Sequence, residues 1–196
     1  GICLAKAIQK LHQMQPPLLY LDCKPSNVMK DSDGKIRLID FGSALEAHTP
    51  VTKGISASPG YAAPEQLSRE IEKRCVDVRT DVFGLGRTLY ALLCGADLSR
   101  PPYAFASLKS RCPQVSDELE RIIMRATARE PEARFQTMEA FLQVLLALQE
   151  ACRVDDTGKK EPFWQKLRRK KTADCEVLQS VLRTAKPMGR WMFALL

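Results

Sequence analysis

Four side chains near the start of the chain have the types and spacing to do chemistry. Asp22, Lys24 and Asn27 fall within six residues, and Asp40 opens Asp40-Phe41-Gly42 thirteen positions after Asn27. An Asp with an Asn five residues on, a pair of short strands and then a second Asp is the layout that phosphoryl transfer from ATP requires. One carboxylate orients the attacking hydroxyl, while an amide oxygen and the second carboxylate hold Mg²⁺ against the phosphates. Mg²⁺ is hard, prefers oxygen and keeps several waters, so one or two protein oxygens suffice beside the phosphates. A lone Asp before a Pro, or an isolated Asp-x-Gly, is ordinarily a turn. The company of Lys24 and Asn27, and the strand-like Ile36-Arg37-Leu38-Ile39 just ahead of Asp40, set these two apart.

Three further segments follow in order: Ala63-Pro64-Glu65, a helix opening at Thr80-Asp81, and Pro131-Glu132-Ala133-Arg134-Phe135. With them, residues 1 to about 150 resemble the catalytic lobe of a eukaryotic-type protein serine/threonine kinase, in wording close to its bacterial branch. The resemblance implies a mainly α fold: the helical C-terminal lobe of the protein kinase-like fold, with a small β-hairpin pair at the catalytic loop and the N-terminal β lobe absent. It implies ATP and Mg²⁺ as cofactors and protein substrates as partners. Asp22 would orient the substrate hydroxyl, Lys24 would neutralise charge on the moving phosphate, and Asn27 and Asp40 would ligate the metal. Ser58 would bond toward Asp22 and Lys24 and help seat the peptide. Glu65 and Arg134 would form a buried ion pair, and Asp81 would hold the catalytic-loop backbone. The last three also argue for a protein rather than a small-molecule substrate, because in the family they belong to the peptide-docking end.

Departures from the family pattern are informative. Tyr20-Leu21 stands where His-Arg is usual, and Ala57 where a Gly is usual. In many members of the family that Arg pairs with a phosphorylated activation loop. Leu21 cannot receive a phosphate, so regulation through this position by Thr49, Thr52 or Ser56 is not expected, whereas the chemistry at Asp22 is untouched. The family's glycine-rich loop, strand Lys and helix Glu would all precede the catalytic loop, and only 21 residues precede Asp22. The first residue is Gly, and Ile2–Leu11 read as helical with no capping residue ahead. The expectation is a chain cut from a longer protein whose nucleotide-binding lobe lies upstream. The alternative is a truncated or degenerate kinase fold kept as a scaffold.

The elements that must position these groups follow from pattern. Gln15-Pro16-Pro17 ends the first helix and turns the chain into the apolar run Leu18–Leu21. Val28-Met29 and Ile36–Ile39 read as strands joined by Asp31-Ser32-Asp33-Gly34, and a polar loop covers Ser43–Pro59. Val82, Leu85, Leu89 and Leu92-Leu93 share a face of a helix expected to be fully buried. Ser116 and Thr137 read as N-caps, with Phe141, Leu142, Leu145 and Leu148 the apolar face of the last helix.

The 196 residues, 45% hydrophobic and 27% charged, suit one domain plus a tail. The seven cysteines are odd in number with no Cys-x-x-Cys, against a disulfide framework or zinc site and for a reducing cytoplasm. Residues 1–152 hold 19 basic against 18 acidic side chains, and residues 153–196 hold 11 against 5. The near-neutral first part makes nucleic acid an unlikely partner. Residues 151–196 form a basic tail that reads either as a solvated linker or as a juxtamembrane segment, with Lys166–Lys171 on an anionic membrane surface and Arg190-Trp191 leading toward an anchor. His12 and His48 have no carboxylate or Cys at ligand spacing and carry no assigned role.

Overall fold

The computed structural model describes residues 1–47, 49, 57–67, 76–99 and 106–153, the last two of these by backbone alone. His48, Thr52, Ser56 and residues 154–196 of the basic tail lie outside them. The described order is α1 (Ile2–His12), β1 (Leu18–Leu19), a 3₁₀ turn (Pro25–Asn27), β2 (Val28–Lys30), β3 (Ile36–Leu38), β4 (Leu45–Glu46), α2 (Pro64–Leu67), α3 (Val78–Cys94), α4 (Leu108–Arg111), α5 (Asp117–Ala126), a 3₁₀ turn (Pro131–Ala133) and α6 (Met138–Arg153). This is the helical lobe expected, and among the described residues sheet is confined to two antiparallel pairs. β2 meets β3 in the register Val28↔Leu38, Met29↔Arg37 and Lys30↔Ile36. Gly34, at φ +79°, closes that hairpin, and the Asp31 carboxylate accepts the Lys35 amide across it.

Two strands were not expected, β1 within the apolar run Leu18–Leu21 and β4. β4 lies inside the polar Ser43–Pro59 segment and pairs with β1 as Leu18↔Glu46 and Leu19↔Leu45. Two residues carry no periodicity of their own, so the pairing is set by β1, whose Leu19 is buried. It is this pairing that fixes the approach of the chain to the Asp22 loop.

α3 is the axis of the core. It starts at Val78, two residues before the expected Thr80. The reason is a capping box: Asp77 receives the Arg79 amide at 2.8 Å, and Thr80 Oγ1 accepts the Asp77 amide at 3.2 Å. Every residue from Thr80 to Ala91 is buried. α1 lays Leu4, Ala5 and Ile8 into the same core, α5 contributes Leu119, Ile122, Ile123 and Ala126, and α6 contributes Phe141, Leu142, Leu145 and Leu148. α3 and α5 approach so closely at Gly86 that a Cβ there would stand 2.8 Å from Thr127 Cγ2 and 2.9 Å from Ala126 Cβ. Ser116 and Thr137 cap α5 and α6 as expected, accepting the Leu119 and Ala140 amides at 3.2 and 3.0 Å. The burial expected of Leu92 is corrected: it is 38% exposed, while Leu93 and Cys94 of the same turn pack against the core. Among the described residues, no helix is long and apolar enough to cross a membrane.

Candidate active site

Asp22 sits in a loop whose backbone is pinned from beneath by α3. Asp81, 1% exposed, turns its carboxylate onto the loop: Oδ2 accepts the Tyr20 amide at 2.8 Å and Oδ1 the Leu21 amide at 2.7 Å. Thr88, two turns along, donates to the Cys23 carbonyl at 2.9 Å. Leu21 takes φ +65°, a left-handed conformation that costs a branched residue about 1–2 kcal/mol. The surroundings hold it there: its N–H goes to Asp81, and its carbonyl accepts Gln66 Nε2 at 2.9 Å. Gln66 in turn accepts the Ala63 amide at 2.9 Å, so one buried side chain ties Ala63-Pro64-Glu65 to the loop.

That backbone presents the Asp22 carboxylate to three donors. Ser58 Oγ donates to Oδ1 at 2.7 Å. Lys24 Nζ lies 2.8 Å from Oδ2, and Asn27 Nδ2 donates to Oδ2 at 2.9 Å and to the Asp22 carbonyl at 3.0 Å. Lys24 also donates to Ser58 Oγ at 2.7 Å, closing a ring of Asp22, Lys24 and Ser58. The structure therefore brings together four of the sequence-selected residues, one of them from 36 positions away.

Asp40 is reached from the same loop by two bonds. The Ile39 amide donates to the Asn27 carbonyl at 3.0 Å, and the Tyr20 hydroxyl donates to the Ile39 carbonyl. Tyr20 also meets Phe41 edge-to-face with ring centroids 5.4 Å apart. Burial pushes the Tyr20 phenol above its ordinary pKa, so it stays a donor. Asp40 is exposed at φ +61°, a region Asp tolerates, and its Oδ1 accepts the Gly42 amide at 3.0 Å. The two donor bonds of Asn27 Nδ2 leave its Oδ1 as the amide atom able to ligate. Asn27 and Asp40 thus offer the hard oxygen donors that Mg²⁺ takes. Among the described residues, no group of three or more His, Cys, Asp or Glu could hold a metal ion.

Glu65 and Arg134 form a two-pronged ion pair, Nη1 to Oε1 at 2.6 Å and Nη2 to Oε2 at 2.8 Å. Arg134 spends its remaining donors on the carbonyls of Ala128, Arg79 and Arg129 and lies over the Phe83 ring at 4.8 Å. Thr80 Oγ1 adds a bond to Glu65 at 2.9 Å, so the pair is also fastened to the start of α3.

Three positioning residues had no sequence signal. His12, set aside in the sequence, places Nε2 2.8 Å from Asp81 Oδ2 across 69 residues. Gln66 and Thr88 act on backbone carbonyls 45 and 65 residues away. None belongs to a motif or periodic face that marks such a contact.

Cys23 lies between Asp22 and Lys24, yet its thiol is buried, and that burial pushes its pKa up to about 12. Cys3 is exposed. Brief alkylation of the native protein at pH 8, read by peptide mass spectrometry, is expected to label Cys3 at least tenfold faster than Cys23. The two should react alike in denaturant, and equal native rates would contradict the buried placement.

The protein kinase domain family model matches residues 2–164. Among curated proteins, the chain is 34% identical to rhodopsin kinase GRK1 of Rattus norvegicus over 146 residues, covering 73% of this chain and 23% of that protein. It is 36% identical to serine/threonine-protein kinase Pkn1 of Myxococcus xanthus over 155 residues, covering 66% of this chain and 21% of that one. It is 31% identical to serine/threonine-protein kinase PrkC of Bacillus subtilis over 150 residues, covering 69% of this chain and 22% of that one. The chain thus spans under a quarter of the length of these relatives, 21–23%. With the family match running through most of the chain and the helical lobe built around the Asp22 loop, the chain belongs to the protein kinase domain family.

Proposed function

We propose that this chain is the catalytic-loop lobe of a protein serine/threonine kinase that moves the γ-phosphate of ATP to Ser or Thr hydroxyls of protein substrates. The observation that carries the reading is the Asp22 carboxylate held by Lys24, Ser58 and Asn27. A carboxylate fixed on three donors is aimed before substrate arrives, and phosphoryl transfer depends mostly on positioning and electrostatics. Asp22 orients the acceptor hydroxyl and takes its proton. Lys24 lies within reach of both Asp22 and Ser58, and offers its positive charge to the phosphate in flight. Asn27 and Asp40 hold Mg²⁺, which when bound neutralises phosphate charge. Ser58 keeps Asp22 and Lys24 in register beside the incoming peptide. Asp81, Glu65 and Arg134 keep the loop and the segment after it in place. Residues 1–150 form this lobe in our reading, and 151–196 a basic tail suited to an anionic surface. The free cysteines suit a cytoplasmic setting.

The test is transfer of labelled γ-phosphate by the full-length protein, with Mg²⁺, onto a generic acceptor such as casein, followed by phosphoamino-acid analysis. Phosphoserine or phosphothreonine is expected. Phosphotyrosine alone would overturn the substrate class, and no transfer from folded protein would favour the scaffold reading.

Leu21 makes a regulatory statement. It is 4% exposed, uncharged, and committed through its amide and carbonyl to Asp81 and Gln66. A phosphate on the nearby loop finds no cation at this position. Phosphatase-treated protein is expected to keep most of its rate. A drop of tenfold or more would mean that another basic side chain docks the phosphate.

A further inference from the structure

Among the described residues, Cys3, Cys23, Cys94 and Cys112 are free thiols, and two of them meet where the end of α3 packs on α4. Cys94 is the last residue of α3, and Cys112 is the C-cap of α4. Both backbones are held. Gly95 caps α3 through a bond to the Ala91 carbonyl, and the Cys112 amide closes α4 on the Leu108 carbonyl at 2.8 Å. The Tyr90 hydroxyl, one turn before Cys94, donates to the Ala106 carbonyl at 3.1 Å and fastens α3 to the chain entering α4.

Cys112 Sγ donates to the Leu93 carbonyl at 3.5 Å. In a planar trans peptide that oxygen lies about 2.8 Å from the Cα of the next residue, which here is Cys94. The Cys112 sulfur is therefore within about 6.3 Å of the Cys94 Cα. From that neighbourhood side-chain rotation can close a disulfide, whose Cα atoms stand about 4.4–6.8 Å apart. Burial pushes both thiols above their ordinary pKa. For Cys94 the next cause is the Cys112 thiol itself, and Tyr90, Arg111 and Arg87 draw it part of the way back. Cys94 is half-buried, whereas Cys112 is 3% exposed. An oxidant thus reaches Cys94 first, with Cys112 behind it.

We propose that Cys94 and Cys112 are a site of reversible oxidative modification, a dithiol that a peroxide converts into a disulfide stapling the end of α3 to α4. The Cys94 thiolate attacks a peroxide oxygen, so that an S–O bond forms and the O–O bond breaks. With hydrogen peroxide, the departing hydroxide takes up a proton and leaves as water. The Cys112 thiolate then attacks the sulfenic sulfur, forming the S–S bond and releasing a second water. The two thiols lose two electrons, and one peroxide is reduced to two waters. The raised pKa values keep the first step slow, and a thiol reductant reverses the bridge. Such a pair answers an oxidant in a compartment where structural disulfides do not persist.

The test exposes the full-length protein, purified under reductant, to a small excess of hydrogen peroxide. It is then alkylated in denaturant and digested without reduction for mass spectrometry. A peptide pair joined through Cys94 and Cys112, two hydrogens lighter than its separate halves, is expected to exceed every other pairing of either cysteine about tenfold. Dithiothreitol should abolish it, and oxidation of the denatured chain should lose the preference. In Cys112→Ser, dimedone should trap Cys94 as the sulfenic acid. In Cys94→Ser, Cys112 should be recovered as an alkylated thiol. The parent protein decides the matter without either variant. Recovery of both thiols in alkylated form at a dose that oxidises the exposed Cys3 would overturn the site, as would cross-links from Cys94 to other cysteines in equal yield.

Discussion

Asp22→Asn is expected to lower phosphate transfer by a factor on the order of 10²–10⁴, the usual contribution of a positioned proton acceptor. The substitution does more than remove a base. Asp22 receives Ser58 on Oδ1 and both Lys24 and Asn27 on Oδ2, so an amide must turn its NH₂ toward at least one donor. Asp40→Asn should also cost most of the rate, with a different signature. Asp40 is exposed and its Oδ1 is held by the Gly42 amide, so its loss would remove a charge from the proposed metal site rather than a contact from the Asp22 ring. Initial rates over a Mg²⁺ titration check both. The Asp40 variant should need more Mg²⁺ to reach half its maximum, while the Asp22 variant should keep the parental requirement at a much lower ceiling. Near-parental turnover in either variant would undo the assigned role.

Glu65→Gln is expected to destabilise the fold by about 3–5 kcal/mol, because it leaves a buried guanidinium without its counter-charge. The Arg134 side chain is fully buried and that of Glu65 is only 9% exposed, so solvent cannot stand in for the lost carboxylate. The pair joins the Ala63-Pro64-Glu65 segment to the turn before α6, and Thr80 hangs α3 on the same carboxylate. For a domain of this size the loss lowers the melting temperature by about 10 °C. A Glu65→Leu/Arg134→Met pair should be less destabilised than Glu65→Gln, since it strands no charge. Recovery should be partial, because the carbonyls of Ala128, Arg79 and Arg129 lose their donor. Thermal unfolding of the three variants by circular dichroism decides it. A Glu65→Gln midpoint within 2–4 °C of the parent, or about 1 kcal/mol, would show that the pair contributes little.

Much of the local structure was legible in the sequence, for reasons confined to a few residues. The β2–β3 hairpin follows from Asp31 and Gly34, which supply a turn carboxylate and a left-handed backbone. The caps at Ser116 and Thr137 each act three residues ahead. The apolar face of α3 was visible as far as Leu89. The errors fell where a local signal competed with a distant partner. Thr80 looked like a helix start until Asp77 took the cap and Thr80 became the other half of the box. Leu92 continued a buried stripe on paper, but in the last turn of α3 it is Leu93 and Cys94 that pack against the core.

The sequence by itself singled out the groups proposed for the chemistry, Asp22, Lys24, Asn27 and Asp40, because their intervals are short and their side-chain types distinctive. It also determined that helices dominate, because apolar periodicity is a property of neighbouring residues. Only the tertiary structure decided what aims those groups. Asp81 fixes the loop, His12 meets Asp81, Gln66 holds the strained Leu21, and Ser58 joins Asp22 to Lys24. These contacts span 34 to 69 residues of chain. A hydrogen bond at that separation leaves no period and no spacing to read, since it exists only once α1, α3 and the segment before α2 have buried their apolar faces and brought the polar ends together.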